Sequence, residues 1–176
     1  SSKFDSIVSD APVKTSGWIK IKKQHSLLDD EFAQFPAQYA NADGTPEQRW
    51  GNVDTKLKDI NTSKLHYVKV PINQIFIDFD SKDKDGNKSY ERNLEEANKW
   101  PATYAELSKS GCGINLHYLY EGDVTRLSNI YDDDIEIKVL SGNSSLRRKL
   151  TKCNDIPIAV INSGLPLKGE KIKMAT

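Results

Sequence analysis

Residues 75–80 combine a short apolar run with two aspartates at its end. Alternate side chains of a strand lie on one face, so this pattern predicts a strand with Asp78 and Asp80 side by side, about 7 Å apart along the backbone. Two carboxylates this close repel each other unless a cation lies between them, which favours a divalent-metal site. The alternative is a strand that leads into an acidic turn, because residues 81–89 are polar and include an Asp-Gly-Asn sequence.

The composition excludes several classes of protein. The chain has 176 residues, which suffices for one domain with a buried core. Its 25 basic and 25 acidic residues cancel, so binding to nucleic acid would need a local patch rather than an overall field. No apolar run approaches the roughly 18 residues of a membrane span, and no P-loop sequence is present. Two cysteines are too few for a disulfide scaffold, so we expect a cytoplasmic protein without a membrane partner.

A turn of small residues, Ser-Gly-Cys-Gly at residues 110–113, separates two predicted strands at 103–108 and 114–120. Glycines let backbone N–H groups approach a phosphate closely, which favours a phosphate site with Lys109 and Ser110 beside it. A tight hairpin that needs glycine for a positive φ is the alternative.

Two strands carry polar side chains on one face. Asn115 and His117 alternate on the strand after the glycine turn, so both can face a ligand there, although a lone histidine is more often structural. Glu136 and Lys138 alternate with apolar residues on a strand at 135–139. Further predicted elements are strands at 18–22, 65–70 and 157–161 and helices at 29–35, 45–60 and 90–100.

These motifs, in this order, resemble those of the archaeo-eukaryotic primase superfamily, the primase-polymerases. The first is an apolar strand that ends in D-x-D, at residues 76–80. The second is a serine-glycine turn into a strand with a histidine, at residues 110–117. The third is an apolar residue followed by an acid, Ile135 and Glu136. Residues 103–111 look especially like phage and plasmid members, and the resemblance extends over about residues 75–149.

The resemblance implies an α+β fold. A sheet like that of the RNA-recognition motif, antiparallel throughout, would form the catalytic unit, and an N-terminal α/β unit would lie beside it with the active site between them. On this interpretation residues 1–176 form a single primase-polymerase catalytic domain. Residues 1–70 would be the N-terminal unit, residues 71–165 the catalytic unit and residues 166–176 a tail.

The resemblance also implies a reaction. Asp78, Asp80 and Glu136 would be the catalytic residues and would hold two Mg²⁺ or Mn²⁺ ions about 3.5–4 Å apart, for transfer of an NTP or dNTP onto a 3′-hydroxyl. Arginine and lysine pair well with phosphate, although the basic run at residues 147–149 is equally consistent with a solvated turn. The residues expected at the nucleotide are Ser110, Gly111, Gly113, Asn115, His117, Lys138, Arg147 and Arg148.

The chain departs from the family at one position. Members usually carry their histidine where this chain has Asn115, and His117 follows two residues later. An asparagine can donate a neutral hydrogen bond but not a charge-assisted one. Either His117 replaces the missing residue, or the site is weakened, or this copy of the motif has been altered.

Three functions follow from these motifs. The first is a primase-polymerase of phage or plasmid replication in a bacterial cytoplasm, with a single-stranded DNA template bound by backbone charge and stacking, and with a replicative helicase or further domains of a longer chain as partners. The second is a nucleic-acid-binding module of the same fold with weakened catalysis. The third is a metal-dependent nuclease or phosphotransferase that uses the same carboxylates.

Overall fold

The computed structural model describes residues 17–169. Its regular elements are mostly short strands, with two α-helices and three single turns of 3-10 helix at Trp50–Asn52, Leu57–Asp59 and Val124–Arg126. In chain order the helices and strands are α1 (Leu27–Glu31), β1 (Ala37–Tyr39), β2 (His66–Val68), β3 (Gln74–Phe79), α2 (Tyr90–Ala97), β4 (Tyr104–Leu107), β5 (Ile114–Tyr120), β6 (Ile130–Asp132), β7 (Ile135–Val139), β8 (Leu146–Arg148) and β9 (Ala159–Ile161). The predicted α+β class is therefore confirmed.

The large sheet has the strand order β4-β5-β3-β7-β6, and all of these neighbours are antiparallel. The short strand β9 runs parallel to the end of β5. Alternation along β3 explains the burial of one face, because Ile75, Ile77 and Phe79 are fully buried in the core beneath α2. The opposite face of the same strands carries the polar residues of the predicted site.

The small sheet has the order β1-β2-β8 and is also antiparallel. It lies over the polar face of the large sheet, where its Val68 and Leu146 share a second apolar core with Tyr104 of β4. Because β8 comes late in the chain yet pairs with β2, the boundary expected near residue 70 does not separate the two sheets cleanly.

Helix α2 is set by its ends and by one buried amide. Ser89 caps its first turn by accepting from the backbone N–H of Arg92 at 3.2 Å. Asn93 accepts from the N–H of Ser81 at 2.6 Å and donates to the carbonyl of Cys112 at 2.9 Å. This side chain therefore ties the loop after β3 to the turn between β4 and β5.

Two predicted elements are wrong. Residues 18–22 do not form a strand, because the backbone N–H groups of Trp18 and Ile19 donate to the side chain of Asn98 instead of to a neighbouring strand. Residues 45–60 do not form a helix but contain the 3-10 turns at Trp50–Asn52 and Leu57–Asp59. Gly51 lowers the helix propensity of this segment, and the backbone around it pairs locally instead.

The C-terminal segment is attached as far as it is described. Leu165 is buried, and the N–H of Lys168 donates to the carbonyl of Arg126 at 2.7 Å. Part of the tail expected at residues 166–176 is therefore packed against the domain, and its residues 170–176 lie outside the described range. Within residues 17–169, no helix has the length and apolar character needed to cross a membrane.

Candidate active site

A row of four polar side chains crosses the large sheet on the face that the small sheet partly covers. Glu106 of β4 lies opposite Asn115 of β5, which lies opposite Asp78 of β3, which in turn lies opposite Glu136 of β7. Exposure increases along the row, from a Glu106 that is 3% exposed to a Glu136 side chain that is 48% exposed. The row therefore leads from the buried contact between the sheets to the solvent.

The environment of Asp78 disfavours its charged form. Burial raises the pKa of its carboxyl above the ordinary value, and the nearby charges of Asp80 and Glu136 act in the same direction. The charge of Lys138 opposes them by lowering this pKa. A partly buried carboxylate with two acidic neighbours is a position where a cation would be stabilising.

Lysines neutralise the two carboxylates that flank Asp78. Lys138 Nζ lies 3.4 Å from Glu136 Oε1, and Lys88 Nζ lies 3.9 Å from Asp80 Oδ1. Asp80 itself follows the end of β3, where its backbone N–H donates to the carbonyl of Asp134 at 2.9 Å. Across residues 17–169, no group of three acidic, histidine or cysteine side chains is close enough to hold a metal ion in this side-chain arrangement. Binding by all three carboxylates would therefore require their side chains to move closer together.

Asn115 is in direct contact with Asp78. If the side-chain oxygen of Asn115 faced Asp78, two hydrogen-bond acceptors would lie together. The amide nitrogen is therefore placed on that side. In this orientation Asn115 Nδ2 donates to Asp78 Oδ1 at 3.0 Å and to the carbonyl of Ile114 at 3.3 Å. Both hydrogens of the amide are thus engaged within the protein.

The turn between β4 and β5 is a hairpin whose amides are used internally. Gly113 N donates to Ser108 Oγ at 2.9 Å, and Cys112 N donates to Ser110 Oγ at 3.2 Å. Gly111 N donates to the carbonyl of Ser108 at 3.0 Å and has a φ of 81°, in the region that favours glycine.

Gly113 is required by close packing. A Cβ at this position would lie 2.8 Å from Ser108 Oγ and 3.0 Å from the carbonyl oxygen of Phe79. The hairpin interpretation of the glycines is therefore confirmed, while the phosphate role expected for Ser110 and Gly111 stays a prediction.

His117 is a buried ring rather than a residue of the open surface. It is 1% exposed and stacks on Phe76 at 5.3 Å between ring centroids, with Tyr104 at 5.6 Å on another side. Burial lowers its pKa to about 4, although the charge of Glu106 acts in the opposite direction. Among the described residues neither ring nitrogen has a hydrogen-bond partner. A neutral, enclosed imidazole is poorly suited to the direct phosphate contact expected from the sequence, and that contact stays a prediction.

Arg148 is also buried and is held by acidic partners, and its expected contact with nucleotide phosphate stays a prediction. Its Nε and Nη2 atoms lie 2.8 and 2.7 Å from Glu106 Oε2, and Nη2 lies 2.7 Å from Asp29 Oδ1. It also contacts Ser26 Oγ at 3.2 Å and His66 Nε2 at 3.1 Å. Since Arg148 lies on β8 and Glu106 on β4, this cluster joins the small sheet to the large one.

The remaining basic residues border a pocket between the two sheets. Arg147, Lys109 and Lys149 are exposed, in contrast to their buried neighbour Arg148. The pocket has a volume of about 30 Å³, enough for a water-sized group at its base. Its lining residues are Glu106, Leu107, Ser108, Lys109, Asn115, His117, Leu146, Arg147, Arg148 and Lys149. Lys138 lies outside this pocket, beside Glu136.

Sequence reasoning missed two residues that shape the site. Glu106 accepts from Tyr104 Oη at 2.6 Å as well as from Arg148, and the Arg148 charge lowers its pKa despite the opposing effect of burial. A glutamate within the otherwise uncharged strand at residues 103–107 was the available signal for this buried ion pair. Asn93, which ties α2 to the hairpin, carried no signal because an asparagine in a helix is ordinarily exposed.

Comparison of the sequence with protein-family models and with curated proteins gives no match. The resemblance to primase-polymerases therefore rests on the motifs of this chain.

Proposed function

We propose that this protein is a metal-dependent nucleotidyltransferase of the primase-polymerase type, which adds an NTP or dNTP to a template-bound 3′-hydroxyl. One observation carries the proposal: Asp78 lies directly opposite Glu136 on the polar face of the sheet, at the open end of the row that begins between the two sheets. Acids at these two motif positions would have to share a face in such an enzyme.

The chain order of the large sheet supports this proposal. Strand β5 lies between β3 and β4, so β3-α2-β4 forms a split β-α-β unit. Sheets like that of the RNA-recognition motif contain such a unit, with a fourth strand beside the first, which is the place of β7 here. A single 3-10 turn at Val124–Arg126 stands where that arrangement has a second helix.

The acidic side chains at the open end of the row, together with Asp80, are suited to divalent cations. Carboxylate oxygens are the ligands that Mg²⁺ and Mn²⁺ prefer, and Asp78, Asp80 and Glu136 would hold them. When bound, such ions would polarise the reacting phosphate and favour the ionised 3′-hydroxyl. Release of Lys138 from Glu136 and of Lys88 from Asp80 would accompany binding and free two positive charges beside the phosphates.

The other residues of the site would bind and orient the substrate. Lys109, Arg147 and Lys149 are the exposed cations at the pocket, where a triphosphate would be neutralised. The small sheet covers the Glu106 end of the row and would exclude water from that side. Asp78, partly buried beside Asn115, would be held in a fixed orientation when the substrate arrives.

Primer extension tests this function. The wild-type protein should lengthen a labelled primer on a single-stranded DNA template with Mn²⁺ and either NTPs or dNTPs, and Asp78→Asn should reduce this by at least about a hundredfold because it removes a charged ligand. Glu121→Gln is the control, since Glu121 is an exposed acid just after the far end of β5. Shortening of the primer would indicate a nuclease instead, and binding without either change would indicate a nucleic-acid-binding module.

A further inference from the structure

Asn115 occupies the motif position at which a phosphate-binding side chain was expected, yet its donors point elsewhere. Both hydrogens of its amide are engaged, one with Asp78 Oδ1 and one with the carbonyl of Ile114. What remains is the carbonyl oxygen, which accepts hydrogen bonds and therefore repels the oxygens of a phosphate.

We infer that Asn115 is a positioning residue for Asp78 rather than a ligand of the nucleotide phosphates. The inference rests on the proposed function, since it concerns Asp78 as a ligand of a divalent cation. The contact crosses two neighbouring strands, because Asp78 and Asn115 are direct partners in the sheet. A bond of 3.0 Å from a rigid central strand fixes one oxygen of Asp78 and leaves the other free to bind the ion.

Neighbouring contacts explain why this bond is needed. Glu106, which lies beyond Asn115 in the row, is held by Arg148. Glu136, which lies on the other side of Asp78, is held by Lys138. Asn115 is the group of the row that reaches Asp78 without bringing a charge of its own. A positively charged residue at this position would compete with a bound cation, whereas a neutral amide orients the carboxylate and leaves its charge available.

Binding of Mn²⁺, followed by the loss of the free-ion signal in electron paramagnetic resonance, provides the test. Asn115→Leu keeps the approximate size but removes the donor, and we expect it to weaken Mn²⁺ binding by about tenfold to a hundredfold, the usual effect of losing a partner of a metal ligand. Asn143→Leu, at an exposed turn, is the matched control and should leave Mn²⁺ affinity unchanged.

A double exchange tests whether the metal site needs the carboxylate on β3 and the amide on β5. Asp78→Asn combined with Asn115→Asp restores an amide-carboxylate pair between the same strands, so urea unfolding should give a free energy close to that of the wild type. The carboxylate would then lie on β5, about 5 Å farther from Glu136, and Mn²⁺ binding should be lost. An exchanged protein that binds Mn²⁺ as the wild type does would contradict the inference.

Nuclear magnetic resonance checks the bond itself without metal. The side-chain amide signal of Asn115 should move on Asp78→Ala, and an unchanged signal would mean that the bond is absent and the inference wrong. Unchanged Mn²⁺ affinity in Asn115→Leu, together with its loss in Asp78→Ala, would overturn the inference and leave the proposed function intact. A wild-type protein that binds no Mn²⁺ would overturn both.

Discussion

At the scale of single residues, the buried histidine of β5 makes a measurable contribution to the pH dependence of stability. The pKa of His117 falls from its ordinary value of 6.5 to about 4 in the folded protein because burial disfavours the charged ring. Above pH 6.5 the ring is neutral in both the folded and the unfolded protein, so its titration does not change the free energy of unfolding. Between pH 6.5 and 4 the unfolded chain binds a proton that the folded chain does not, so the free energy of unfolding decreases by about 3 kcal/mol in total.

The variant His117→Phe isolates this effect. It keeps the stacking on Phe76, removes two unsatisfied nitrogens and eliminates the titration, so its free energy of unfolding should decline less steeply than that of the wild type as the pH falls from 6.5 to 4. His66, whose pKa is also lowered in the folded state, titrates in both proteins and cancels in the comparison. The charge of His117 lowers the pKa of Glu106, so the measured difference belongs to the His117–Glu106 pair. Urea unfolding across this range measures the difference, and parallel curves would show that His117 does not resist protonation.

At the scale of secondary-structure elements, β8 supplies a buried ion pair between the two sheets through Arg148. Replacing Arg148 by Met would leave Glu106 buried, and Asp29 half-buried, without their cationic partner, and we expect a loss of about 3–5 kcal/mol in the free energy of unfolding. Arg147→Met is the matched control, because Arg147 lies next to Arg148 on the same strand but is exposed. This variant should change stability by less than about 0.5 kcal/mol. Equal effects in urea unfolding would contradict a role for Arg148 as the link between the sheets.

Sequence patterns predicted several strands correctly, but the apolar-basic alternation of residues 18–22 does not form one. The strands at Ile114–Tyr120 and Ile135–Val139 have the bounds that their periodicity indicates. Residues 18–22 were misassigned because the side chain of Asn98 binds their backbone, and residues 45–60 because their backbone pairs with residues 33–37. Short motifs of local sequence do not encode such contacts.

At the scale of the whole molecule, the sequence indicated which residues lie along one face but not which of them are covered. It placed Asp78 and Glu136 on strands with their side chains on one face, and the pairing of β3 with β7 brings them together. It could not separate Arg147 from Arg148, because one is exposed and the other buried only through the docking of β8 against β4. The small sheet therefore encloses one end of the row of polar side chains and leaves the other end open to solvent.

The central claim is that Asp78, Asp80 and Glu136 together hold divalent cations at the open end of this row. Paramagnetic broadening by Mn²⁺, added well below one equivalent and read residue by residue in amide resonance spectra, tests it most directly. Our account predicts that the signals of Asp78, Asp80 and Glu136 are lost first and that Asp78→Asn restores them. Broadening that is centred away from these three residues, or that persists in Asp78→Asn, would contradict the account.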